Sequence, residues 1–381
     1  MRAVVLIDSL AGGGAQRVTA ALCRDLVSDR YAVTLATLNA DDVDFFDPGA
    51  GVERARLGAA PARSFAGKSL VNIQRLRRLR ALLKAKDPAI VIAMMTPCAV
   101  LSLVANLGLR ARTLVCERNF PGRKRIGAAW SLLRKIFYRL ADGHVAQTRE
   151  GADWIIRHTR ARNVHIVPNP VLWPLPVRDP VRDPSNWVGR HRFFVLAVGT
   201  KWHQKGFDLL IKAFASIAVR FPEWDLVVLG VEHDGAGALR RFADAEGLGS
   251  RLILPGLAGN VGEWYQGAGV FVLSSRYEGF PNVLLEAMAT GCACVAVDCD
   301  TGPRDIIEDG VSGRLVAAGD TAALAGAIAE LIEDAGKRAR FGRAALSVRE
   351  RFDETRIMAK WRGAIESVLP NTSRRRKQSC R

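Results

Sequence analysis

Two series of short apolar strands alternating with helices, split by a proline-dense stretch, constrain the fold of this chain most. The first series predicts strands at 2–8, 32–38, 52–57, 89–95, 113–117, 143–147 and 164–167. Helices are predicted between them at 15–28, 69–86, 98–107, 127–140 and 150–159. The second predicts strands at 193–199, 225–229, 251–254, 270–273 and 294–298, with helices at 206–220, 236–246, 260–267 and 282–290, then helices from about 303 and 320 to the end. Strand–helix–strand alternation makes parallel sheets covered by helices on both faces. Pro168, Pro170, Pro174, Pro176, Pro180 and Pro184 crowd the junction, where neither a helix nor a central strand can run. The expected fold is α/β, with two Rossmann-like, doubly wound domains. Their boundaries are 1–172, a linker at 173–192, then 193–352, with a last helix at 353–370 and a basic, disordered tail at 371–381. In such sheets ligands bind at the carboxyl ends of strands, and two such edges facing each other make a cleft. A length of 381 residues agrees with two cores.

Within the second series, residues 270–291 carry the densest chemistry. Val270–Leu273 reads as a buried strand, Pro281 suits the opening of a helix, and Gly291 suits its left-handed close. That helix is nearly all apolar yet holds Glu286, a carboxylate that is costly to bury without a partner. Glu278 stands just before it. The free N–H groups of the helix start suit a phosphate, and two flanking acids suit the hydroxyls of a sugar or ribose.

Gly12-Gly13-Gly14, between the first strand and helix, is either a tight turn or a backbone that lets a phosphate come close. The glycines are contiguous, unlike the dinucleotide fingerprint, and both readings stand on this evidence.

Charge separates the halves. Residues 1–172 hold 27 Lys and Arg against 13 Asp and Glu, residues 173–373 hold 23 against 25, and the tail from Arg374 holds five basic residues and no acid. The basic half implies an anionic partner. Helix 68–86 places Leu70, Ile73, Leu76, Leu79 and Leu83 on one stripe among seven cations. Helix 123–140 places Ile126, Trp130, Leu133, Phe137 and Leu140 on one stripe among six cations. Such helices suit an anionic membrane surface. Aromatic content of 7% and the lack of a nucleic-acid motif argue against DNA or RNA. No apolar run reaches the roughly 20 residues of a spanning helix. Seven cysteines, several within expected strands and helices, read as buried thiols of a reducing cytoplasm. Their spacing fits no zinc pattern.

These residues support a family. The chain resembles the retaining glycosyltransferases of family 4, with GT-B architecture, over nearly its whole length. The resemblance rests on Gly12–Arg17, Glu117-Arg118-Asn119 and Val167–Pro170. It rests further on Gln204–Asp208, the acid pair Glu278 and Glu286 within 278–291, and Gly302–Ile307 with Asp309-Gly310. It looks closest to bacterial members that build polysaccharide, lipopolysaccharide or lipid-linked oligosaccharide.

The resemblance implies that the second domain holds a UDP-sugar donor. Glu286 would bind the ribose, and Glu278 the transferred sugar. Gly279, Phe280, Pro281, Asn282 and Val283 would offer backbone donors, and Lys205 would neutralise the diphosphate. Gly13 and Gly14 would approach that diphosphate from the first domain. The last helix would cross back onto the first domain. Where the family often has an Arg, this chain has Thr200. Lys201, Arg304 or Arg17 is expected to supply the charge. Where the family often has a His, this chain reads Met94-Met95-Thr96-Pro97, with Thr96 or a backbone carbonyl expected in its place.

The expected function is transfer of a hexose or N-acetylhexosamine, with retention, to a polyprenyl-diphosphate-linked glycan. The expected location is the cytoplasmic membrane face, without metal or cofactor. A nucleotide-sugar epimerase of similar shape and a catalytically silent partner subunit are the alternatives.

Overall fold

The computed structural model describes residues 1–39, 44–58, 65–124 and 126–370, the side chains of 65–69 apart. The predicted tail 371–381, Arg125 and the Lys68 side chain lie outside the described residues. The chain divides into two compact units. One is Met1–Asn169 with the chain from Thr355 on; the other is Pro170–Glu354.

Unit 1 is built on a seven-stranded parallel sheet of order β3-β2-β1-β4-β5-β6-β7. Its strands are β1 Arg2–Ile7, β2 Ala32–Thr37, β3 Val52–Arg56, β4 Ile90–Met94, β5 Arg112–Cys116, β6 Gly143–Ala146 and β7 Val164–Ile166. The helices are α1 Gly14–Ser28, α2 Phe65–Lys86, α3 Thr96–Ala105, α4 Ala128–Phe137 and α5 Arg149–Thr159, and a 3-10 turn, Tyr138–Leu140, extends α4. Every residue of β4 is buried, as expected of an inner strand covered on both faces. The edge strand β3, Val-Glu-Arg-Ala-Arg, is polar and only partly covered.

Unit 2 has a six-stranded parallel sheet of order β10-β9-β8-β11-β12-β13. Its strands are β8 Phe193–Val198, β9 Trp224–Leu229, β10 Leu252–Gly256, β11 Val270–Leu273, β12 Cys294–Asp298 and β13 Arg314–Ala317. Its helices are α6 Trp202–Lys205, α7 Phe207–Ala218, α8 His233–Ala245, α9 Val261–Gly267, α10 Asn282–Ala289, α11 Pro303–Ile306, α12 Thr321–Glu333, α13 Ala335–Ala345 and α14 Val348–Arg351. The last helix, α15 Glu354–Val368, packs into unit 1. In each sheet the strand order reverses beside the first strand, between β1 and β4 and between β8 and β11. That switch point is where a doubly wound sheet opens a crevice.

Four local readings change. Strand β13 was missed because Arg-Leu-Val-Ala is short, half-exposed and shows no alternation. Helix α6 was missed because Gly206 breaks it from α7 after one turn. The proline-dense stretch forms no helix or strand beyond a 3-10 turn at Pro184–Asn186, yet it is fastened to unit 2. Gly259 N–H donates to Pro180 O at 2.7 Å, and Trp264 Nε1 to Arg182 O at 2.9 Å. On the two basic helices the expected stripes are only partly buried. Leu79 and Leu83 are buried, and Trp130, Leu133 and Phe137 pack on the core, but Leu70, Ile73 and Leu140 face solvent. The six described cysteines are buried thiols, and burial pushes the Cys292 thiol up to about 12.

Candidate active site

At the unit 2 switch point, the loop after β8 is clamped to the loop after β11. Gly206 has φ +64, and a Cβ there would lie 2.2 Å from the Ser274 carbonyl oxygen. Only glycine permits both the conformation and the approach. Ser274 Oγ donates to Lys205 O at 2.8 Å, and Arg276 N–H donates to Gln204 O at 2.9 Å. The Arg276 guanidinium holds both Asp208 oxygens, at 2.8 and 2.6 Å. Burial works against ionisation of Asp208, but the Arg276 hydrogen bonds and charge outweigh it, and its carboxyl lies below the ordinary value.

This clamp brings two predicted residues together. Lys205 Nζ donates to Glu278 Oε1 at 2.7 Å, and Ser275 Oγ donates to the same oxygen at 2.7 Å. The two charged side chains are 15% and 9% exposed. They form a mostly buried ion pair whose rim reaches solvent.

The loop from Gly279 leads into α10. Pro281 caps the helix without a side-chain hydrogen bond, and no acid stands in its first turn. Asn282 and Val283 open it, half-exposed, while Phe280 is buried with its ring 5.4 Å from that of Phe352. Gly302, at φ +99, lies so close that a Cβ would meet Gly279 O at 3.0 Å. Thr301 Oγ1 donates to Glu278 O at 2.7 Å, tying that turn to the acid's own backbone. On the buried side of α10, Tyr265 O–H donates to Glu286 Oε2 at 3.3 Å. Burial, and then the Glu286 charge, push the Tyr265 phenol well above its usual value.

Of the three cations expected to replace the missing Arg, Arg304 holds Asp298 with two bonds of 2.9 Å. Asp298 is thus the partner that holds Arg304. Lys201 is exposed at the N-terminus of α6 and makes no ion pair among the described residues. Arg17 lies on α1 of unit 1, after Gly13 (φ +125) and Gly14 at that helix's start. Gly13 there holds a positive-φ conformation that favours glycine.

Unit 1 has its own polar cluster at the carboxyl ends of β4 and β5. Glu117 Oε1 accepts from Thr96 Oγ1 at 2.8 Å and from Tyr138 O–H at 2.5 Å, with Arg134 at 3.9 Å. Arg134 in turn stacks on Trp154 at 4.6 Å. Thr96 is 3% exposed and committed to this carboxylate, so its hydroxyl does not stand in for a surface His. Next to it, Arg118 and Gln147 both donate to Asn169 Oδ1, and Arg118 lies over Trp361 at 5.9 Å. Burial lowers Arg118 to about 10. The sequence drew attention to Glu117 and Arg118 but not to Tyr138, Arg134 or Gln147. Arg134 sits among surface cations in the helical pattern, and nothing local marks it as buried.

Comparison with known proteins follows the two units. The family model described as glycosyl transferases group 1 matches residues 184–348, and the glycosyltransferase family 4 model matches residues 12–171. The chain is similar to the amylovoran biosynthesis glycosyltransferase AmsD of Erwinia amylovora, 25% identical over 94% of this chain and 97% of that protein. It is also similar to a Campylobacter jejuni α-1,4-N-acetyl-D-galactosaminyltransferase, whose name gives a glycan on PP-undecaprenol. That protein is 23% identical over 97% of this chain and 99% of its own length. Among solved structures, Anabaena HepE in complex with UDP-glucose superposes with a TM-score of 0.76 at 20% identity, over 96% of this chain and 100% of that one. Two parallel-sheet Rossmann-like units of the GT-B class, each matched by a glycosyltransferase model, define a sugar-transferring enzyme. The chain belongs to the family 4 glycosyltransferases.

Proposed function

We propose that this enzyme moves a hexosyl or N-acetylhexosaminyl group from a UDP-sugar, with retention, to a hydroxyl of a polyprenyl-diphosphate-linked glycan or polysaccharide precursor. The carrying observation is the Lys205–Glu278 pair, set beside a helix start that no side chain caps. In the reaction the bond from the anomeric carbon to the diphosphate breaks and a bond to the acceptor oxygen forms. The acceptor's proton leaves with the diphosphate. Negative charge grows on the departing oxygens, where the α10 N–H groups, Lys205 and the exposed Lys201 stabilise it. Glu278 binds the sugar hydroxyls and favours positive character at the anomeric carbon. Glu286 accepts from the ribose hydroxyls.

Relatives support the substrates: HepE was solved with UDP-glucose, and the Campylobacter enzyme's name carries a polyprenyl diphosphate. The basic first unit suits an acceptor diphosphate and the inner face of the cell membrane. No helix among the described residues is long and apolar enough to cross a membrane. The chemistry assigned to these residues uses no metal and no cofactor.

The test follows UDP release from a panel of UDP-sugars with membranes, with and without lipid-linked acceptor. Acceptor-dependent release is expected from one donor, and none with any donor would refute the proposal. Glu278→Gln is expected to cut turnover by about 100-fold. Glu286→Ala is expected to weaken UDP binding, and unchanged binding would refute the ribose role.

A further inference from the structure

Helix α4 has two apolar faces, and only one of them is used inside the chain. Trp130, Leu133 and Phe137 pack on the unit 1 core, beside the buried Arg134. Leu132, Ile136 and Leu140 are 59%, 41% and 49% exposed. Their spacing of four places them in one line along the outer face, the last on the 3-10 turn that continues the helix. Between Leu132 and Leu140, Lys135 and Arg139 are exposed and make no ion pair among the described residues. No acid occurs between Glu117 and Asp142. Glu117 is buried, and Asp142 is held by Arg112 at 2.6 Å. The ridge is therefore apolar, narrow and bordered by uncompensated positive charge.

We infer that the Leu132–Ile136–Leu140 ridge enters the headgroup layer of an anionic bilayer, with Lys135 and Arg139 meeting lipid phosphates. The inference rests on the membrane reading above and deepens it. It moves the contact from the stripe that the sequence pattern suggests to the adjoining exposed line, which shares only Leu140 with that stripe. Three side chains are too few for a stable protein interface, which buries about 800 Å² per partner. A membrane asks less: a shallow apolar wedge and cations act together there, and neither alone gives firm binding. The charge pattern selects the partner, since an acid-free basic border repels another copy of itself and attracts anionic headgroups.

The experiment is co-sedimentation of the full chain with phosphatidylglycerol–phosphatidylcholine vesicles and with pure phosphatidylcholine vesicles, at low and high salt. Wild type should bind the anionic vesicles at low salt and lose much of that binding at high salt. Leu132→Ser with Ile136→Ser should weaken anionic-vesicle binding roughly tenfold, the effect of losing two partly inserted side chains. Lys135→Glu with Arg139→Glu should remove most of the salt-sensitive part. Val219→Ser, at a 93%-exposed site on unit 2, is the control and should bind as wild type does. All variants change exposed residues, and matched circular dichroism confirms that they fold. If wild type binds and the double serine variant binds equally well, the ridge is not the contact, while the membrane reading survives. If wild type fails to bind anionic vesicles at low salt, both fall. Concentration-dependent dimerisation that the serine variant abolishes, without vesicle binding, would assign the ridge to a second copy and overturn the inference.

Discussion

A buried ionisable group keeps the protonation state that its surroundings can hold. Glu117 is held by a threonine, a tyrosine and an arginine, all inside unit 1, which marks it as a keystone of that sheet edge. Among the described residues Glu278 has one cation and one serine as side-chain partners, with its side chain 9% exposed, so a ligand can take over part of its bonding. His144, on β6, is 1% exposed, with Nδ1 3.2 Å from Arg162 O and its ring 5.6 Å from Tyr138. Burial lowers its pKa below the usual 6.5, outweighing the backbone carbonyls of Arg162 and Tyr138, which act the other way. The unfolded chain then binds a proton more readily than the folded one. Stability from this site is complete above the unfolded value and is lost as pH falls from about 6.5 through the folded value. Urea unfolding at pH 7.5 and at pH 5.5, relative to that range, should show a drop in wild type that His144→Gln reduces. Equal drops in both proteins would remove His144 as the source.

Elements show where pattern reading succeeds and where it ends. Strand and helix alternation was legible because parallel strands buried on both faces are continuous apolar runs, as in Ile90–Met94. The helix from Pro281 to Gly291 was legible from its proline and glycine, and α10 spans Asn282–Ala289 with Gly291 at φ +80. Glu286 could be singled out because a carboxylate in an apolar helix is conspicuous, and Glu278 because it stands just before that helix start. Long-range partners were not legible. Nothing near Tyr138 or Arg134 in the sequence says that both meet Glu117, and the outward turn of Leu140 depends on which side of α4 faces the sheet. The α6–α7 break shows the same division. Gly206 is visible in the sequence, but its reason is Ser274 O, 68 residues away. Gly206→Ala should therefore cost more than the roughly 1–2 kcal/mol of a left-handed alanine, because the Ser274 backbone must also move. It should shift Lys205 and lower transfer activity together with stability. A melting temperature and turnover equal to wild type would show that the two loops are not clamped there.

At the scale of the molecule, the chain leaves unit 1 at Asn169 and returns to it at Thr355. The returning helix α15 is not an ornament on that unit. Ile357, Met358, Trp361, Ala364, Ile365 and Val368 are buried, and Trp361 is among the largest fully buried side chains. A Cβ on Gly143 would lie 2.6 Å from Val368 Cγ1, so β6 is shaped to receive the helix. Arg362 pairs with Asp25 of α1 at 2.5 Å, and Asn163 Nδ2 donates to Ser367 Oγ at 3.1 Å. Loss of a buried tryptophan alone costs about 3–5 kcal/mol, against a whole-domain stability of roughly 5–15 kcal/mol. Removing α15 removes that tryptophan and five other buried side chains, and uncovers apolar surface. Residues 1–169 expressed alone should therefore show no cooperative unfolding transition. The same residues joined through a flexible linker to 354–370 should recover one. Trp361→Ala in the full chain should lower the unit 1 transition in calorimetry while leaving the unit 2 transition in place. If 1–169 alone unfolded cooperatively at the midpoint of the intact chain, α15 would be a passenger, and the division at Asn169 would mark a complete domain.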